Sequence, residues 1–466
     1  MDEPANPRDL GGDLDVLGQL PLLNIYTQIC FCFPVADASS LPAIINTLTN
    51  GLERLSAGFP WLAGKVVNEG SGEGNSGVFK FKPLGKIPRL VVKDLRHDPS
   101  IPTMDVLRQA NFPFSMLDEA IIAPRKTLPG GPDEPANSAP VFLLQANFIT
   151  GGLLLTFVGQ HNTMDMTGQG HIIRLFSKAC HNEQFTSEEL SSGNLARSNL
   201  IPLLDDSHKQ GPELAHQILK PISFHSISDG ASGHSAPSPP KCSWAYFTFH
   251  PISLTTLKSL ATETISLPSS YISTDDALSS FIWQSVIRTR LPRLNPKAES
   301  TLARAVNVRH YLDIPLTYLG LTQNMTYHTY TIQKLVEEPL GSVASQLRSA
   351  LDPKTSNLGY NTRALATFLN RTPDKSVVSL VATLDLSVDI MLSSWAQLDC
   401  YGLDFNLGLG KPDAVRRPQF EPVESLIYLM PRTLDGEIAV AICLRDEDME
   451  RLRVDEEFTK YAKYIG

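Results

Sequence analysis

Residues 141–174 read VFLLQANFITGGLLLTFVGQHNTMDMTGQGHIIR, and the fold turns on this stretch. Val141 to Ile149 and Leu153 to Val158 are dense in aliphatic, aromatic and β-branched residues, and the Gly151-Gly152 pair between them is a hairpin signal. The pattern predicts two buried strands. The apolar run stops at His161. A Gly-bearing turn over Thr167 to Gly170 follows, and then Ile172, Ile173, Leu175, Phe176 and Ala179 recur with helical spacing. Gln145, Asn147, Thr150 and the glycine pair argue against a membrane-spanning helix in this most apolar window. A strand that ends on a His, with an Asp four residues later and a helix just beyond, can expose one imidazole and bury its support.

Outward from this stretch, helices and strands interleave, so the fold class is mixed α/β. Toward the N-terminus, Ile25 to Phe33 reads as a strand, and Ser39-Ser40 cap a helix through Leu55 whose apolar face holds Ile44, Leu48 and Leu52. A hairpin is expected about Gly70 to Gly77, a strand at Leu90 to Asp94, and a flexible loop over Pro129 to Pro140. Ser187 to Lys220 mixes helical and loop signals. Asp229 to Pro240 (DGASGHSAPSPP) is the one clear break in composition and reads as a domain linker. Beyond it, strands are expected at Ser243 to His250, Leu302 to Val308, Met325 to Leu335, Ser376 to Ser387, Ser425 to Met430 and Glu437 to Leu444. Ser273-Thr274-Asp275-Asp276 starts a strong helix through Arg288, and Glu447 to Tyr464 reads as one closing amphipathic helix. This divides 466 residues into a domain over 1–220, a linker or crossover loop over 221–240, and a second domain over 241–466.

The formal charge of −9 argues against nucleic acid or an anionic membrane as the main partner. Six scattered cysteines without CxxC spacing read as reduced core residues. The acidic N-terminus MDEPANPRDLGGDLDVLG lacks the apolar region of a secretory signal, so a cytoplasmic protein is expected.

His161 and Asp165 are the first chemical candidates. An imidazole with an ordinary pKa of ~6.5 can take a proton from an alcohol or amine at neutral pH. A His-x-x-x-Asp pair also arises often by chance. A metal site would need a helix with both side chains on one face, and the strand before and the turn after argue against one. His171 lies beyond the turn with no metal spacing. Three further stretches are bland when taken singly: Ser393-Ser394-Trp395 through Asp404-Phe405-Asn406-Leu407-Gly408-Leu409-Gly410-Lys411-Pro412, the helix start at Ser273 to Leu278, and Val306-Asn307-Val308-Arg309 ahead of Asp313-Ile314-Pro315 and Gly320. An Arg at the end of a buried strand ordinarily has a carboxylate partner.

Their order and spacing together resemble the BAHD acyltransferase superfamily, in particular its fungal branch, which includes trichothecene O-acetyltransferases. His161 to Asp165 resembles the HxxxD motif, Asp404 to Pro412 the DFGWGKP motif, Ser273 to Leu278 the STxDAL segment, and Asn307 to Asn324 the NxRxxLxPPLP-to-GN stretch. Phe59 to Lys65 (FPWLAGK) is similar to the YPLAGR turn. The likeness runs from about Leu17 to the C-terminus. Met166 replaces the Gly of HxxxDG, DFNLGLGKP lacks the Trp and displaces Lys-Pro by two residues, and Pro315 alone remains of the paired prolines.

The resemblance implies two similar chloramphenicol-acetyltransferase-like domains with a central substrate channel, part of 385–415 packing back on the first. It implies transfer of an acyl group, acetyl in the simplest case, from coenzyme A to a hydroxyl or amine of a small terpenoid, polyketide or alkaloid-like acceptor. No metal, no acyl-enzyme and a monomer are expected. By the same resemblance His161 is the general base, Ser393 and Trp395 donate to the oxyanion, with plain core packing the alternative for Trp395, and Asp165, Arg309 and Asp404 support the site structurally. Lys258, Ser273 and Thr274 are the candidates for the CoA phosphates, with Arg416-Arg417 either serving equally or facing solvent. The rival readings are a silent binding scaffold and a condensation or cyclisation enzyme of the same fold; Gln160 stands where a condensation domain has a second His.

Overall fold

The structure, a computed structural model, describes residues 12–36, 40–84, 90–129, 139–219, 240–265 and 271–466. The expected linker therefore lies almost wholly outside the described residues, as does most of the loop over Pro129 to Pro140.

The predicted hairpin forms the centre of a five-stranded sheet. Its order is Ala414–Arg416, Tyr26–Pro34, Gly152–Gln160, Phe142–Ile149 and Leu90–Asp94. Every residue of the two hairpin strands is buried, which is why both read as continuous apolar runs rather than alternating ones. Helices Leu41–Gly58 and Met166–Cys180 pack on one face through Leu48, Leu52, Ile172 and Phe176. Met104, Leu107 and Phe112 cover the other against Cys30, Cys32 and Leu154. A small sheet of Val78–Pro83, Gly64–Glu69 and Ala139–Pro140 flanks this unit.

The second sheet has seven strands, ordered Gln323–Thr331, Glu299–Asn307, Ile390–Ser394, Leu426–Leu429, Ile438–Arg445, Cys242–Phe249 and Ala462–Tyr464. Alternation along these strands sorts the two faces. Phe247, Phe249, Ile427, Leu429, Val440 and Ile442 meet the helices Pro251–Glu263 and Thr274–Arg290. Trp244, Tyr246, Leu426, Ala439, Ala441 and Cys443 face the other way, into the same apolar cluster as Phe114, Phe157 and Val415. The chain then crosses back. Asp413 N donates to Cys32 O at 2.9 Å, and Ala414–Arg416 pairs antiparallel with Tyr26–Pro34, becoming the edge of the first sheet.

Four local readings are corrected. Helix Met166–Cys180 starts before Ile172, because Asp165 caps it by accepting from Gly168 N at 2.8 Å. The strand from Met325 stops at Thr331, and Ile332–Glu337 is helical, burying Ile332 and Leu335. No strand spans Ser376 to Ser387; Asp374, Ser379 and Asp385 bond the backbone N–H groups two residues ahead and hold turns instead. The closing helix ends at Val454. Asp455 caps a further short turn, Phe458 enters the core, and Ala462–Tyr464 pairs with Cys242–Phe249.

Candidate active site

His161 follows directly on the strand Gly152–Gln160 and is held from both sides. Its backbone N–H donates to Ile25 O at 2.8 Å, and its Nδ1 lies 3.0 Å from Met164 O. A carbonyl oxygen only accepts, so Nδ1 carries the proton and Nε2 keeps its lone pair. The ring is nearly buried, and burial is the main cause that pushes its pKa below the usual 6.5; Arg417 adds to this, while the Met164 carbonyl and Asp165 oppose it. An imidazole so placed is neutral and basic at Nε2 at pH 7.

Asp165 points away from this chemistry. Its carboxylate accepts from Arg309 Nη1 at 2.8 Å and Nη2 at 3.0 Å, from Thr322 N at 2.8 Å and from Gly168 N at 2.8 Å. Arg309 in turn donates to Tyr318 O, Gly320 O and Asn307 Oδ1. Both side chains are buried, so a fork of charge-assisted bonds ties the loop after His161 to the far half of the chain. Gly168 allows that approach. A Cβ there would overlap the carbonyl oxygen of Leu319.

A second brace escaped the sequence. Arg197 Nη1 donates to Thr163 O at 2.7 Å and to Asp15 Oδ2 at 2.6 Å, and its guanidinium lies over Trp61, 4.3 Å from the ring centroid. Asp15 also accepts from the Tyr318 hydroxyl. Trp61 sits in the FPWLAGK turn, the one legible sign of this support; Asp15 lies in the acidic N-terminal stretch and Arg197 in a segment of mixed helical and loop signals.

Ser393 is the last but one residue of the interior strand Ile390–Ser394, and the Trp395 indole N–H donates to Ser393 Oγ at 3.1 Å. The indole proton is thus engaged, and the hydroxyl proton of Ser393 is left to donate elsewhere. Ser393 and Trp395 line a cavity of about 490 Å³ between the two halves, together with Asp165, Thr167, His171, Arg304 and Arg348. His161 is not in that lining. His171 Nε2 bonds Leu316 O at 3.1 Å, and among the described residues no three His, Cys, Asp or Glu side chains converge as a metal site.

The phosphate candidates divide. Ser273 lines the cavity, but its hydroxyl is held in a capping box with Asp276. Thr274 is not in the lining. Lys258 is exposed on helix Pro251–Glu263, outside the cavity. The cations that do line it are each paired: Arg174 with Glu189 at 3.4 Å, and, at the acidic first turn of the next helix, Arg304 with Asp275 at 2.5 Å and Asp276 at 2.9 Å and Arg348 with Asp276. Neither Arg416 nor Arg417 faces solvent, since both are buried.

Asp404 is half-exposed and lies 3.0 Å from His181 Nε2. The anchor of its loop is Phe405, fully buried with φ +55° and ringed by Phe31, Phe33, Phe157 and Phe176. Asn406 Nδ2 donates to Cys180 O, closing the far end of the helix that Asp165 opens.

Two sheets are thus joined by a returning strand, with the His161 loop clamped between them through Asp165 and Arg309. The Transferase family model matches residues 128–459, and the model of the trichothecene 3-O-acetyltransferase-like N-terminal domain matches residues 25–180. The chain belongs to the Transferase family, the BAHD acyltransferases. It is similar to O-acetyltransferase dmxR13 of Cryptosporiopsis sp., 64% identical over 98% of both chains. It is also similar to trichothecene 3-O-acetyltransferase TRI101 of Fusarium sporotrichioides, 54% identical over 97% of both. The crystal structure of F. graminearum TRI101 complexed with coenzyme A and T-2 mycotoxin superposes with a TM-score of 0.91 at 51% identity, covering 98% of this chain and 100% of that one.

Proposed function

We propose that this enzyme moves an acetyl group from acetyl-CoA to a hydroxyl of a small secondary metabolite, with His161 as general base. The observation that carries this reading is the imidazole held at Nδ1 by Met164 O, with Nε2 free and basic. Nε2 removes the proton from the acceptor hydroxyl as its oxygen attacks the thioester carbonyl, and returns that proton to the departing CoA thiolate. Holding both substrates in one complex makes an acyl-enzyme unnecessary. The Ser393 hydroxyl donates to the oxyanion that forms, and Trp395 acts through Ser393 by fixing its orientation. Asp165 and Arg309 position the loop, and Asp404 and Phe405 hold the crossover.

In the same reading CoA enters by the cavity that Ser273, Arg304 and Arg348 line. Sugar and phosphate contacts from those residues fit a polyanionic cofactor better than the exposed Lys258 does. The two-domain division about residues 221–240 belongs to this proposal, as does action as a monomer, since both halves of the site come from one chain. Its six cysteines are free, which suits a cytoplasmic enzyme; no helix among the described residues is long and apolar enough to cross a membrane.

The test is incubation with acetyl-CoA and a panel of small alcohols, among them deoxynivalenol, which the F. graminearum TRI101 relative binds. Release of free CoA thiol together with the acetyl ester of one alcohol is expected. His161→Ala keeps its fold and loses at least ~100-fold in kcat. Wild-type turnover by His161→Ala would remove the base from the mechanism, and thiol release without ester would leave only a thioesterase.

A further inference from the structure

Four buried arginines and the part-buried Arg197 have their charge answered by neighbours. Arg309 holds Asp165, Arg290 holds Asp448, Arg304 holds Asp275 and Asp276, and Arg197 holds Asp15. Arg416 bonds Phe112 O, Asn111 O, Val415 O and the Tyr401 hydroxyl. Arg417 is different. It is 1% exposed, and among the described residues its only side-chain hydrogen bond is Nη2 to Thr127 Oγ1 at 3.3 Å, with no partner for Nε and Nη1. Its guanidinium lies instead among ring faces, 4.3 Å from the centroid of Phe420, 4.7 Å from Tyr428 and 5.5 Å from Trp395. Aromatic faces offset part of the cost of burying that charge, but they leave the two N–H donors unmet.

A third unmet group lies in the same corner. Trp244 packs at 4.9 Å from Phe420 and 6.0 Å from Tyr428, and its indole N–H also has no partner. All three groups are donors, so a guest that completes them brings accepting oxygens on an otherwise apolar, flat frame. Glu119 does not fill this role: it turns one oxygen to Thr127 N and Gln28 Nε2, and among the described residues no ion pair joins it to Arg417.

The corner belongs to the reaction site. Arg417's charge is felt at His161, and its guanidinium stands over the ring of Trp395, whose N–H orients Ser393. Yet Arg417 does not line the cavity that Ser393 and Arg304 share. Two substrates that meet at one base need two approaches, and Arg417 lies outside the cavity assigned to the cofactor, against the Trp395 ring that borders it.

We propose that Arg417, boxed by Trp395, Phe420 and Tyr428, recognises a carbonyl or phenolate oxygen on a ring of the acceptor, close to the hydroxyl that is acetylated. This rests on the acyl-transfer reading above. It makes Arg417 the residue that selects oxygenated aromatic or polycyclic alcohols over plain ones.

The test compares acceptors that differ only in a ring carbonyl, 4-hydroxy-1-tetralone against 1-tetralol, using the full chain and acetyl-CoA. Wild type is expected to favour the ketone by about 100-fold in kcat/KM, the scale of one hydrogen bond to a charged group. Arg417→Met removes that preference while the KM for acetyl-CoA holds and Tm does not fall, because an unpaired buried charge has been replaced by an apolar side chain of similar length. Arg417→Lys, with a charge but no planar fork, is expected to recover only part of the preference. Equal use of both alcohols by wild type overturns the inference and leaves acyl transfer standing, and so does a preference that survives Arg417→Met. Use of neither alcohol by an enzyme active on deoxynivalenol also overturns it. An enzyme that acetylates no alcohol at all overturns the acyl-transfer reading itself. Should Arg417→Met fail to fold, the wild-type preference between the two alcohols still decides.

Discussion

Asp165→Ala separates the strut from the base. The carboxylate accepts two bonds from Arg309, one from Thr322 N and one from Gly168 N. Loss of the helix N-cap costs about 1 kcal/mol. Leaving Arg309 buried without its partner costs about 3–5 kcal/mol; the Tyr318, Gly320 and Asn307 oxygens it keeps place it at the low end. The terms share one network and do not simply add, so about 4–5 kcal/mol is expected in all. At roughly 2.1 cal/mol/K per residue, a chain of 466 residues that unfolds as one unit then loses about 4–5 °C in Tm. Thermal unfolding and initial rates on the same preparation read both effects. Asp165→Asn keeps the cap and falls less, and Asp165→Ala combined with Arg309→Met regains part of the lost stability because no unpaired charge remains. A variant with wild-type Tm and a kcat as low as that of His161→Ala would refute the reasoning and put Asp165 in the chemistry.

Gly168→Ala drives a methyl into Leu319 O at the junction of the halves, so a loss of at least ~2 kcal/mol and of most activity is expected; a Tm within 1 °C of wild type, on the order of measurement error, would contradict the close approach. Burial disfavours the protonated form of His161, so the neutral base persists to lower pH than a free imidazole, and the acid limb of kcat/KM should have its midpoint below about 6.5. A midpoint near 7 or above would show that burial does not govern this group. Ser393→Ala should lower kcat by roughly 100-fold. Trp395→Phe, which removes only the N–H that orients Ser393, should lower it by roughly 10-fold, within the strength of one neutral hydrogen bond. Equal losses in the two variants would instead make the indole N–H a direct donor to the oxyanion.

Legibility followed the range of the interaction. The hairpin, the His161 loop and the capped helix at Ser273 are local patterns, and each appears where its residues place it. The pairing of Asp165 with Arg309 spans 144 residues and was accessible only through the family's motif order. Lys258 was a candidate as a cation near the start of the second domain; it is exposed on its helix, whereas the cavity is lined by Arg174, Arg304 and Arg348, which the sequence did not single out. Asp15 and Arg197 carried no pattern at all, because a buried ion pair between two loops has no period to read.

Taken alone, then, the chain's apolar runs, glycine turns and four ordered motifs determined the mixed α/β class, the position of the base and the family. Those features are written in neighbouring residues, where periodicity and cap chemistry act. Tertiary structure alone decided that Trp395 donates to Ser393, that Phe405 is the buried residue of the loop after Asp404, and that Arg417 lies among aromatic rings without an ion pair among the described residues. These depend on which side chains meet once two sheets share a core. A buried guanidinium and a solvated one are the same letter until the fold supplies or withholds its partners.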